Sequence, residues 1–172
     1  MTLYFGDGTN IATATGLGAN FVNSHSVTTT APFSQSSLGE GQFTNDAISL
    51  TYAAASSSNR ILVLASFCMS SSNNGHAARL YIDGTAEPIS DAYGSAKRCT
   101  VMSTSGTNSQ GNQCSLMYLK TSPSTSTVTY SIRLAHMDNN DCDMYLNKSH
   151  NTYNNAWHGR GTSTLSVLEF TT

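Results

Sequence analysis

Between Thr127 and Leu134 the chain alternates without a break. Val128, Tyr130, Ile132 and Leu134 point one way, and Thr127, Thr129, Ser131 and Arg133 point the other. A period of two is the mark of a strand with one face in the core and one in water. A second run, GRGTSTLSVLEF (Gly159 to Phe170), closes the sequence on another strand, so the C-terminus is expected to be paired into a sheet. A chain built this way, with almost no helical pattern, reads as a rigid building block or a binder rather than an enzyme.

The polar residues agree. The 172 residues include 26 Ser, 22 Thr and 15 Asn, but only 10% are Asp, Glu, Lys or Arg, against about 25% in an average soluble domain. Helices draw on Glu, Lys, Arg and Ala for their exposed faces. Strands accept Thr, and turns favour Ser, Asn and Gly. Disorder is disfavoured because 38% of residues are hydrophobic, they fall in alternating segments, and the net charge is only −2. No basic stripe exists to neutralise phosphates, so no nucleic-acid partner is expected. MTLYFGDGTN has neither a positive start nor an apolar stretch, so it does not read as a signal peptide. No run approaches the ~20 apolar residues of a transmembrane helix, and folding in a cytoplasm without membrane insertion is expected. Cys68, Cys99, Cys114 and Cys142 lie far apart with no CxxC, as scattered thiols would.

Residues 1–45 read as an extended N-terminal arm with little core of its own. Within it Leu3 to Phe5 and Phe21 to Thr30 are short strand candidates, and Ser34 to Gly41 is a Ser/Gly loop. From Asp46 strands are expected at Ile48–Tyr52, Arg60–Met69, Ala77–Asp83, Ala96–Ser103 (weaker), Cys114–Lys120, Thr127–His136, Cys142–Asn147 and Thr162–Phe170. RILVLASFCM is apolar on both faces, which suits a central strand. Asn74-Gly75 and Asp83-Gly84 are tight-turn dipeptides. With no crossover helix to build a parallel sheet, residues 46–172 are expected to form a jelly-roll-like antiparallel β-sandwich.

The segments SSSNRILVLASF, NNGHAARLYIDGT, SPSTSTVTYSIRL, YLN (Tyr145 to Asn147) and GRGTSTLSVLEF, in that order and spacing, resemble a module found at the C-terminal ends of fibre and appendage proteins of tailed bacteriophages, marine phages prominent among them. The resemblance covers residues 46–172. It implies a β-sandwich in a homotrimeric virion appendage concerned with host attachment, and it brings no catalytic residues and no cofactor. Self and other virion proteins, of capsid or tail, would be the partners, with a host-surface glycan as ligand. Long fibre proteins carry a shaft before the module, whereas only a 45-residue arm precedes it here. A capsid decoration or head-fibre protein fits that arrangement equally well, and a free carbohydrate-binding module is a further alternative. Leu3, Tyr4, Phe5 and Phe21 are the candidate particle anchor. Asn73, Asn74, Asn108, Tyr153, Trp157, His158 and Arg160 are the candidate receptor-facing loop residues.

Other motifs have plain readings. Trp157, His158 and Arg160 could stack on and fork a sugar or carboxylate. Because GRG is part of the resemblance, the structural role is favoured: glycines shaping a turn, with Arg160 pairing across an interface. His136, Asp138, Asp141, Cys142 and Asp143 are oxygen-rich enough for calcium, but EF-hand spacing is absent and a polar hairpin loop explains them. The GxG triplets at Gly6, Gly16 and Gly39 open no helix and so build no phosphate loop. Without a GxSxG elbow, 26 serines carry no signal of nucleophilic catalysis. The pairs Asp83 with Glu87 and Asp138 with Asp141 read as solvated turn carboxylates rather than a glycosidase pair. The sequon at Asn147 reads as chance.

Overall fold

The alternating segments meet as two antiparallel sheets whose apolar faces share one core, a β-sandwich. The computed structural model describes residues 3–4, 10–11, 20–72, 75–94, 97–103, 111–137, 141–150 and 160–172. Among them there is no helix. β1 (Leu3–Tyr4) and β2 (Asn10–Ile11) pair only with each other.

The first sheet holds β3 (Phe21–Thr29), β4 (Phe33–Leu38), β6 (Arg60–Ser71), β10 (Asn112–Thr121), β12 (Cys142–Leu146) and β13 (Ser163–Phe170). The twelve-residue β6 is its spine. β10 follows one edge of β6 from Arg60 to Met69. The other edge is shared end to end, β13 taking Arg60–Ser66 and β12 taking Met69–Ser71. β3 then borders β13 and β4 borders β12. The six strands therefore occupy four lanes: β10, β6, β12 with β13, and β3 with β4. The second sheet holds β5 (Ile48–Ala53), β7 (His76–Ile82), β8 (Thr85–Ala86), β9 (Val101–Ser103) and β11 (Thr127–His136). Its lanes are β5, β11, β7, and β8 with β9 sharing the free edge of β7.

Inward positions follow the alternation. Ile61, Val63 and Phe67 of β6 and Leu165 and Val167 of β13 oppose Leu50 of β5, Tyr130 and Ile132 of β11 and Leu80 of β7. Side chains of this size each contribute about 1.5–3 kcal/mol when fully buried. The β7–β8 hairpin turns on Asp83 and Gly84, both at positive φ (50° and 80°), with Ile82 opposite Thr85. That is the Asp-Gly turn the sequence predicts, in a conformation whose twist matches the strands it joins.

Two expectations for the first 45 residues are corrected. Ser34 to Gly41 is not simply a loop, because Phe33–Leu38 is strand β4. The stretch also supplies more to the fold than an arm with little core of its own: β3 and β4 are two of the first sheet's strands, and Leu38 and Thr44 are buried. β3 is joined to β13 by backbone pairing while most of its side chains stay exposed on both faces. β3 matches the strand candidate at Phe21 to Thr30, but backbone pairing needs no apolar alternation, so the hydrophobic pattern does not show its place in the sheet. The weak strand expected at Ala96–Ser103 is realised only at Val101–Ser103.

Candidate functional site

Outward residues of the first sheet fall into two zones set by register. Leu119, Leu62 and Leu168 form one cross-strand row, with Met117 opposite Leu64 in the next and Phe170 opposite Phe21 at the end. Met117 is 74% exposed and Phe21 is 59% exposed. Phe21 meets Phe170 edge-on at 6.0 Å between ring centres. A groove of about 360 Å³ opens over Arg60, Leu62, Met117, Leu119 and Phe170. Further along the strands the face becomes hydroxylic. Ser26 donates to Ser166 at 2.8 Å, Thr28 and Thr164 are bonded at 3.0 Å, and Gln113 Nε2 donates to Ser66 at 2.8 Å. Arg60 is the one charged residue at the outward registers of β3, β6, β10 and β13. A contiguous exposed apolar zone with almost no charge is a surface suited to contact.

Two buried polar side chains lock the frame behind this face. Leu165, Val167 and Glu169 share the inward side of β13, so a carboxylate occupies a core register. Glu169 accepts from the Tyr52 hydroxyl (2.6 Å), Asn59 Nδ2 (2.6 Å) and the Ala55 N–H (2.9 Å), and from the Ser56 backbone. Burial would raise its pKa, but these donors together outweigh burial and hold it below the usual carboxylate value. The Glu169 carboxylate thus gathers the whole β5–β6 loop onto the last strand.

Asn147 does the same at the other end of β13. The β12/β13 lane breaks after Leu146, and the β3/β4 lane breaks after Thr29. Asn147, fully buried, fills both breaks. Its Nδ2 donates to the carbonyls of Thr29 (2.9 Å) and Ala31 (3.2 Å), and its Oδ1 accepts from Ser163 Oγ at 2.6 Å. Its backbone N–H donates to Cys68 and its carbonyl accepts from Gly161. Asn147 holds φ at 60°, a left-handed conformation that Asn tolerates. The sequon asparagine is therefore a structural clamp with no exposed amide.

The candidate loop residues Asn73, Asn74, Asn108, Tyr153, Trp157 and His158 lie outside the described residues, as does anchor residue Phe5. Leu3 and Tyr4 are placed only as backbone in β1. Phe21 belongs to β3 and the sheet face. Arg160 is exposed and forms an isolated bridge to Lys148. Gly161 is needed for close approach rather than for a turn, because an added Cβ would stand 2.5 Å from Cys68 Cβ. Of the metal-like cluster, His136 Nε2 bonds the carbonyls of Leu38 (2.9 Å) and Gly39 (3.2 Å), and Asp143 accepts from the Ser37 N–H and the Tyr145 hydroxyl. Among the described residues no three His, Cys, Asp or Glu side chains gather as a metal site. Glu87 pairs with Lys120, while Asp83 sits exposed in its turn.

His76 faces His136 across β7 and β11, both fully buried on the inward side. Ser71 Oγ and His76 Nδ1 are bonded at 2.8 Å. Burial pulls the His76 pKa below its ordinary value, against a smaller opposing pull from the Gly75 backbone. The folded value then lies below the unfolded one, near 6.5. Stability from the neutral ring is complete above that pH and is lost as pH falls through the folded pKa. Thermal melts are expected to decline from pH 7.5 to pH 5, and His76→Asn should flatten that decline. An unchanged slope in the variant would show that the ring does not report folding.

The motifs singled out in the sequence include neither Glu169 nor a structural role for Asn147. Glu169 was readable, because Leu165-x-Val167-x-Glu169 aims the carboxylate inward. No family model and no curated protein matches the chain. Among the described residues no helix is long and apolar enough to cross a membrane.

Proposed function

We propose that this chain is a non-enzymatic structural protein of a tailed-phage virion, a homotrimeric surface appendage of the tail-fibre or spike type involved in attachment to the host. The resemblance of residues 46–172 to phage appendage modules suggests the setting. The observation that carries the self-association is the outward face of the first sheet: Phe21, Leu62, Met117, Leu119, Leu168 and Phe170 lie together around a groove with Arg60 as the only charge. Two further copies of the same surface, packed about a threefold axis, are the fitting occupants, because faces that carry a single charge each, Arg60, meet with little repulsion and gain by burying apolar area. Strand order supports the jelly-roll reading. Counted along the chain, lanes one, eight, three and six make the first sheet and lanes two, seven, four and five the second, which is the nesting of two Greek keys. Adaptation to life outside the cell fits a surface of Ser and Thr with few groups to titrate.

Sedimentation velocity tests the self-association. The chain is expected to run at about three times its 18.3 kDa mass. Met117→Asp, placed where the side chain is already exposed, should keep the fold and shift the boundary to the single-chain mass. A wild-type boundary at one chain across tens of micromolar would remove the trimer.

A further inference from the structure

The second sheet carries a different surface on its outward side. Arg79 of β7 and Arg133 of β11 are direct cross-strand partners, so two like charges stand opposite each other. Such placement is ordinarily destabilising, and this chain has only eight Lys and Arg to place. Each guanidinium is stacked on a ring. Arg79 lies 4.0 Å from the centre of Phe43, and Arg133 lies 4.2 Å from the centre of Tyr81. The two rings meet edge-on at 6.4 Å, which makes one row: Arg79, Phe43, Tyr81, Arg133. Arg98 adjoins it, its carbonyl accepting from Arg79 Nε at 2.6 Å while its own Nε donates to Ser90.

These arginines are sparingly neutralised. Arg133 Nε donates to Asp46 Oδ1 at 2.6 Å, and Ser131 Oγ donates to the same oxygen. Among the described residues no carboxylate pairs with Arg79 or Arg98. Asp91 follows Ser90 in sequence and makes no ion pair among the described residues, and Lys97 is paired with Glu40. Arg79, Arg98, Arg133 and Asp46 together carry two net positive charges, in a protein whose total is −2. Ring stacking fixes guanidinium planes and leaves their N–H edges for a planar acceptor. Beside the row lie the exposed hydroxyls of Ser49 and Thr51 on β5, opposite the buried Ser131 and the half-buried Thr129 of β11.

We propose that this row is a binding site for an acidic saccharide, its carboxylate forked by the arginines and its hydroxyls met by Asp46 and the Ser/Thr field. A polyphosphate would want cations along its whole length, whereas here they stand at one side of a hydroxyl surface. The site lies on a sheet face, away from the loop tips, and it holds whether the chain is particle-borne or free.

Titration of the full chain with oligogalacturonate, followed calorimetrically, tests it. Saturable binding is expected, with no binding to uncharged dextran and weaker binding to polyphosphate. Arg79→Gln and Arg133→Gln should each weaken binding at least tenfold, while Lys148→Gln, beyond the end of β12 in the first sheet, should leave it unchanged. Arg79→Lys keeps the charge but loses the fork. It should weaken binding at least fivefold and serves if a glutamine variant fails to fold. No binding of oligogalacturonate, an equal loss in the Lys148 variant, polyphosphate binding as tight, or an undisturbed Arg79→Lys would each overturn the proposal.

Discussion

Glu169→Ala is expected to remove about 4 kcal/mol of folding stability, within the range for stripping the charged partner from a buried network. For a chain of this length that corresponds to a fall of about 8–16 °C in Tm. The reason is the number of donors that share one carboxylate. Tyr52, Asn59, Ala55 and Ser56 all lose their acceptor at once, and all belong to β5 or the loop after it. The effect has a pH signature. The folded pKa of Glu169 lies below its unfolded value of about 4.3, so its stabilisation is complete above that pH and is lost as pH falls through the folded pKa. Tyr52 acts at the opposite limit. Burial first, and then the Glu169 carboxylate, raise its pKa, so its contribution holds below about pH 10 and is lost as pH rises through the folded value. Urea unfolding between pH 3 and 8 checks this. Wild type should lose stability toward acid more steeply than Glu169→Ala, and a loss under 1 kcal/mol at pH 7 would show that the loop is held by other contacts.

Asn147→Ala is expected to cost about 3 kcal/mol. The carbonyls of Thr29 and Ala31 and the hydroxyl of Ser163 lose their partner inside the protein. Alanine also fits poorly at φ 60°, a penalty of about 1 kcal/mol. Asn147→Gly separates the two causes, because glycine accepts the backbone angle but makes none of the bonds. Glycine should recover about 1 kcal/mol of the alanine loss and no more. Amide hydrogen exchange should quicken first at Cys68 and Ser163–Leu165, next to the clamp. Near-wild-type stability in both variants would mean that the two lane breaks close without Asn147.

The strands legible in the sequence are those whose side chains alternate between core and water. Arg60–Met69, Thr127–His136 and Thr162–Phe170 lie within a residue or two of β6, β11 and β13 because burial imposed their period. β4 was obscure, lying in a stretch expected as a Ser/Gly loop, and β3, although it matches the Phe21 to Thr30 strand candidate, shows no alternation that would place it in the sheet. The sheet holds β3 through main-chain bonds, and its Ser, Asn and His side chains need satisfy no core. The surfaces proposed for contact were less legible still. Leu62, Met117, Leu119 and Phe21, spread over 98 residues of sequence, become one zone only through the registers of β10, β6, β13 and β3. Arg79, Phe43, Tyr81 and Arg133 are likewise joined by pairing across β7 and β11 and by the approach of the chain before β5. Glu169 and Asn147 stood in plain view, one at an inward register and one inside a sequon, but their partners are set by topology.

The most direct test of the proposed virion placement is antibody–gold labelling of intact particles of the proposed phage, viewed by electron microscopy. Label concentrated at the tail or its fibres is the expected result and fits an attachment appendage. Label spread over the head would contradict the tail placement and favour a capsid decoration or head-fibre protein. Particles without label would contradict the virion reading, leaving a free carbohydrate-binding module to explain the sandwich and its arginine row.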